Sequence, residues 1–174
     1  TLAGATRAAD VARISIGYVR EQGGTAQASV VAGGFKTSMQ NAAYVNATLA
    51  NVLEYDAAWS PPNHPASPTV PAILAIAEYL RLPGAAVLEA VVVAFEVQAR
   101  IRLAGTGLSG GFHKPGVTGL FGAAAAAARL FKLDKEQTLM ALGLAGSRAG
   151  SLTVNSGTMT KPSHAGHAAR MGIE

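Results

Sequence analysis

Cysteine is absent from the 174 residues, which excludes both a disulfide framework and a thiolate metal site. Charge is scarce: Asp, Glu, Lys and Arg together make only 14% of a chain that is 49% hydrophobic. So little charge leaves little surface for water, and we expect a homo-oligomer, a dimer, in which part of this surface is covered. Aromatic anchors are few, with a single tryptophan. Much of the apolar content is alanine, so the expected core is one of closely approaching helices. No apolar run reaches the roughly 18 residues of a membrane helix; AAVLEAVVVAF is interrupted by Glu89 and closed by Glu96 and Arg100. No basic-plus-apolar leader opens the chain, so no membrane association is expected and the expected compartment is the cytoplasm. The net charge is +4, but the basic residues form no run and are not interleaved with aromatics, so no nucleic-acid partner is expected.

What is present reads as a series of helices. TRAADVARISIGYVREQ predicts a helix or helix pair, followed by a short β excursion between the glycine pairs of GGTAQASVVAGGFKTS. NAAYVNATLANVLEYD places Ala43, Ala47, Leu49, Val52 and Leu53 near one helical face. WSPPNHPASPTVP, residues 59–71, holds five prolines and is expected to be neither helix nor strand, with Pro71 opening the next helix. AAVLEAVVVAFEVQARIRLA is the longest helix candidate, its apolar positions being Val87, Val91, Ala94, Phe95 and Ile101. VTGLFGAAAAAARLFKL and DKEQTLMALGLAGSRAG follow, the second with Asp134 and Gln137 in capping-box spacing. HAGHAARMGIE begins a last helix. Strand signals are sparse and βαβ alternation is absent, so the expected fold class is all-α, a multi-helix bundle. GTGLSG, residues 105–110, satisfies G-x-G-x-x-G but follows a helix candidate, and Asp134 is too distant to be the ribose-binding acid. Nucleotide binding is not expected.

Chemistry concentrates on four histidines and one lysine. His64 and His113 stand in Pro- or Gly-rich loops, where a rigid scaffold presents side chains able to move protons near neutral pH. Each also has an ordinary reading: His64 as a cap or loop tie, His113 as a ring packed beside Phe112, His167 as a surface group. His164 and His167, three apart, could share a metal, but no acidic residue or third nitrogen lies near them in sequence and no metal is expected. Lys161 precedes Pro162 in a predicted first turn, where free N–H groups, the helix dipole and an ammonium could face one anion. The ordinary alternative is a solvated lysine.

Taken in order, four blocks resemble the MmgE/PrpD family. They are NATLANVLEYDAAW…NHPASPTVPAILAIAE, GFHKPGVTGLFGAAAAAARLFKL, EQTLMALGLAGSRAG and GTMTKPSHAGHAARMGIE, together covering most of residues 39–174. The resemblance implies a helical domain from which an α+β lid is missing, so residues 1–174 are expected to be one incomplete helical domain. It implies a lyase of the dehydratase type acting on a small di- or tricarboxylate. Decarboxylation or epimerisation on the same scaffold is the alternative, and a non-catalytic helical binding or assembly domain is a further one. It also implies that His64, His113, Lys161 and Asp56 are catalytic and that Lys161, His164 and Glu54 bind substrate. That chemistry requires no metal and no organic cofactor. The family commonly reads D-F-D-D-T-H or D-F-D-D-T-W where this chain reads EYDAAW. Glu54 stands at the first aspartate, Asp56 matches the second, and Ala57 and Ala58 replace an acid and a hydroxyl.

Overall fold

The computed structural model describes residues 1–106 and 110–174, and among them the chain is helical apart from one hairpin and its loops. Residues 107–109, the middle of GTGLSG, lie outside the described residues. The helices are α1 (Leu2–Arg7), α2 (Ala9–Gln22), α3 (Met39–Asn51), α4 (Ala66–Leu80), α5 (Gly84–Ala104), α6 (Lys114–Leu130), α7 (Lys135–Arg148) and α8 (Thr160–Ile173). The short β excursion is an antiparallel pair, β1 (Ala28–Val30) and β2 (Phe35–Thr37), turned by Gly33 and Gly34. The all-α expectation holds for everything larger than this hairpin.

Two boundaries differ from expectation. α4 begins at Ala66, inside the proline-rich stretch, so ASPTVP is helical. The first N–H groups of a helix have no intrahelical acceptor, so Pro68 in the first turn forfeits nothing. Only Pro71 costs a backbone bond, and its ring is buried in the core. α3 ends at Asn51, five residues before Asp56, and leaves Glu54, Tyr55 and Asp56 in a loop. α7 opens as expected: Asp134 accepts from the Gln137 N–H at 2.9 Å, and Gln137 accepts from the Asp134 N–H at 3.0 Å.

The core is built mostly of alanine, with Leu49, Ile73, Ile76, Val19 and Val45 among the few larger fully buried side chains. α6 crosses the middle, touching α4, α5, α7 and α8, while α3 packs along α4 and α8. On α5 the buried stripe is Ala90, Ala94 and Gln98, not the expected valines, which are half-buried. The smallest residues set the interhelical distances. At Gly166 on α8 an added Cβ would collide with Thr48 Oγ1 and lie 2.7 Å from the Tyr44 carbonyl oxygen of α3. No side chain can relieve a clash with backbone. Gly166→Ala is therefore expected to destabilise the fold by about 1–3 kcal/mol, seen as a lower urea midpoint with an unchanged far-UV spectrum.

Candidate functional site

Three helices start with the same device. His64 immediately precedes Pro65, the N-cap of α4. His113 is itself the N-cap of α6, with Pro115 in the first turn. Lys161 lies in the first turn of α8, beside Pro162. A proline in the first turn costs no backbone bond and fixes φ, so each of these side chains is launched from a stiff helix mouth. The packing of α4, α6 and α8 on one another gathers these mouths. Each contributes the positive end of a helix dipole.

The α4 mouth is tied from several sides. Asp56 Oδ2 accepts from the Ser67 N–H at 3.3 Å, placing a carboxylate at the N-terminus of α4. Its other oxygen is 3.2 Å from His64 Nδ1. The two groups are oriented off the line of a hydrogen bond, and neither atom has another partner among the described residues. Asn51 Nδ2 donates to Ser67 Oγ at 3.1 Å, anchoring the same turn to α3. From α5, Gln98 Nε2 donates to the Pro65 carbonyl at 3.1 Å and Arg102 Nε to the Pro62 carbonyl at 3.3 Å. Trp59 stacks edge-on against Phe95 with ring centres 5.7 Å apart. From α6, the Thr118 hydroxyl lies 3.1 Å from Asn63 Oδ1. The loop that carries His64 is thus clamped by three helices.

The α6 and α8 mouths meet directly. His113 Nδ1 and His164 Nδ1 are 3.0 Å apart, with ring centres separated by 5.0 Å. The His113 N–H donates to the Ser151 carbonyl at 2.9 Å. Ser151 adopts φ of 80°, a left-handed conformation that side chains rarely take. Gly116 makes room for it, since a Cβ there would lie 2.5 Å from Ser151 Cβ and 3.3 Å from His164 Cβ. Lys161 contacts Glu54 as an ion pair. Glu54 also has a left-handed backbone, with φ of 56°. Two non-glycine residues in sparsely populated conformations, each costing on the order of 1–3 kcal/mol, bracket the cluster; such strain collects at functional sites.

All six expected residues therefore fall into three contacting pairs, Asp56–His64, His113–His164 and Lys161–Glu54. Electrostatics links the pairs. Burial first, then the positive charges of His164 and His64, push His113 down to about 4. His164 is lowered by burial, then by His167 and Lys161, and burial also lowers Lys161. His164 is 5% exposed, and with His167, Ser151 and Gly116 it lies in the wall of a hollow of about 690 Å³. His167 turns elsewhere, its ring edge-on to Tyr44 at 5.2 Å. An apolar hollow of about 850 Å³ has Asp56, Tyr55 and Ser67 in its wall but none of the four histidines and not Lys161. Sequence reasoning missed Gln98, Ser67, Thr118 and Ser151. Only Gln98 carried a signal, as a lone amide in helical register with Ala90 and Ala94.

These lowered histidines set the sign of a pH effect. Between pH 6.5, the ordinary value, and about 4, the unfolded chain takes up a proton that folded His113 refuses. Stability should therefore fall as pH drops through this window, with His164 and His167 acting in the same direction. Urea midpoints from about pH 4 to about pH 8 check this. His113→Gln should flatten the slope relative to the unmodified protein.

Comparison with known proteins places the chain in a family. The model of the MmgE/PrpD N-terminal domain matches residues 1–174. The human cis-aconitate decarboxylase is 36% identical over 140 residues, covering 76% of this chain and 29% of that protein. The mouse cis-aconitate decarboxylase is 34% identical over 147 residues, covering 80% of this chain and 30% of that protein. The chain spans under a third of the length of these curated relatives. With its whole length matched by the family model, the chain belongs to the MmgE/PrpD family.

Proposed function

We propose that these residues supply the helical side of an acid–base lyase site for a small di- or tricarboxylate, with decarboxylation as the reaction. The observation that carries the reading is the meeting of three helix mouths around one imidazole pair, one imidazole–carboxylate pair and an ammonium. Partial positive charge from the helix termini and the full charge of Lys161 suit a substrate with several carboxylates. The choice of decarboxylation leans on the relatives, both cis-aconitate decarboxylases by name.

Each role follows from chemistry. Lys161 binds a substrate carboxylate, which has to compete with Glu54 for the ammonium. Loss of CO₂ leaves an electron pair on carbon that must take a proton, and His113 is the donor. Without substrate His113 is a neutral base, because burial and neighbouring cations disfavour its charged form. Carboxylates placed among the same groups reverse that sign and favour the imidazolium. Substrate thus converts His113 from base to acid as it binds. His64 is the second proton-transfer group, and Asp56 orients it. Dehydration would use the same groups, with an acid protonating a leaving hydroxyl. Ala57 and Ala58, where the family commonly has an acid and a hydroxyl, favour one further reading, a site that binds without turning over.

Product analysis on the full-length protein separates these readings. Incubation with cis-aconitate and a panel of citrate-like acids should release CO₂. A dehydrated product keeping every carboxylate would replace decarboxylation by dehydration, and calorimetric binding without turnover would leave a binding domain. His113→Ala should lower kcat roughly 10²- to 10⁴-fold with a smaller change in KM, whereas Lys161→Ala should chiefly raise KM. Unchanged turnover in His113→Ala would remove that residue from the mechanism.

A further inference from the structure

The ammonium of Lys161 is already taken, and what takes it is a carboxylate of the same chain. Glu54 pairs with it, and among the described residues no other acidic side chain lies within ion-pair reach of Lys161. Only 19% of the lysine side chain is exposed against 46% of the glutamate, so Glu54 is the outer partner of the pair. An ammonium withdrawn from water needs an anion beside it. Glu54 supplies that anion where an incoming ligand would put a carboxylate of its own.

The two partners are mounted differently. Lys161 is anchored: its N–H donates to the Thr158 carbonyl at 3.2 Å, and Pro162 beside it is buried. Glu54 sits just beyond the end of α3, where its N–H donates to the Asn51 carbonyl at 2.9 Å. Its left-handed backbone, with φ of 56°, is one that glutamate does not favour. Tyr55 is 88% exposed, and Glu54, Ala57 and Ala58 are exposed as well, so little packing holds this stretch. Asp56 is its one firm tie, through the Ser67 N–H. A fixed cation thus faces an anion on a lightly held turn.

We propose that Glu54 is an internal ligand of Lys161, an autoinhibitory contact that occupies the carboxylate position of the empty site until a di- or tricarboxylate displaces it. The resemblance implied that Glu54 binds substrate. A carboxylate facing an anionic ligand opposes binding instead, by like-charge repulsion and by holding the cation. Length matters as well as charge. The family commonly has aspartate at this position, one methylene shorter, and from the same backbone that side chain reaches less far towards the ammonium. Self-occupancy therefore follows from the glutamate this chain carries. The inference rests on the reading that Lys161 receives a substrate carboxylate, and not on which reaction follows.

Calorimetric titration of the full-length protein with tricarballylate, a tricarboxylate with neither a double bond nor a hydroxyl group, tests this without turnover. Glu54→Gln should tighten binding roughly fivefold, the upper end for a partly exposed ion pair. Glu54→Asp keeps the charge and shortens the reach, and should recover much of that gain. In a Lys161→Met background Glu54→Gln should give no comparable gain, because no ammonium is left to release. Unchanged or weaker binding in Glu54→Gln, an unmoved affinity in Glu54→Asp, or an equal gain without the lysine would each overturn the proposal. If the variants do not fold, the unmodified protein decides. Its Glu54 side-chain carboxyl ¹³C resonance should shift as the acid saturates the site, and a fixed resonance would overturn the proposal. Absence of binding by both the unmodified protein and Glu54→Gln would remove the internal ligand and the carboxylate reading together. The expected affinities in a protein that turns over no carboxylate would sink the lyase reading and leave the internal ligand standing.

Discussion

Three helices that begin at prolines and aim their N-termini at one region make up the constraint on which the rest depends. A helix terminus leaves N–H groups without acceptors, and burying three of them together is costly unless anions or capping groups answer them. In this chain the answers come from Asp56 at the mouth of α4, the His113–Ser151 backbone contact beside α6, and Thr158, whose hydroxyl and carbonyl accept from the Thr160 and Lys161 N–H groups of α8. Two of the protein's own carboxylates, Asp56 and Glu54, thus lie within the cluster.

Alanine makes the convergence geometrically feasible. Helix axes come close only where side chains are small, and α6 carries a run of buried alanines and glycines facing α4, α5 and α8. The cost is a core with few large apolar groups, so close fit at positions such as Gly166 replaces bulk. The same closeness brings His164 of α8 to the N-cap of α6, a contact that larger residues at Gly116 would prevent.

Polar groups from the core then tune the mouths. Gln98 and Asn51 each spend one buried amide donor on the α4 turn and leave an oxygen without a partner, so apolar replacements would cost stability less than they would loosen the loop. This is the pattern expected of residues retained to hold a site in place. The left-handed backbones of Glu54 and Ser151 point the same way, since both conformations are held by their surroundings and not by local preference.

Local signals determined much of this protein. Composition excluded disulfides and thiolate metal sites, periodicity placed the helices, Asp134 and Gln137 marked a capping box, and Pro162 after Lys161 marked a helix mouth. These are readable because they act within one turn of chain. The reach of α4 into the proline-rich stretch was not, because a helix's first turn tolerates prolines that its interior does not, and only packing shows where the first turn begins. The Nδ1–Nδ1 contact, the depressed titration of His113 and the clamp from Gln98 were decided by tertiary structure alone. Each depends on distance and burial between residues 33 to 51 positions apart, and no local preference encodes that separation.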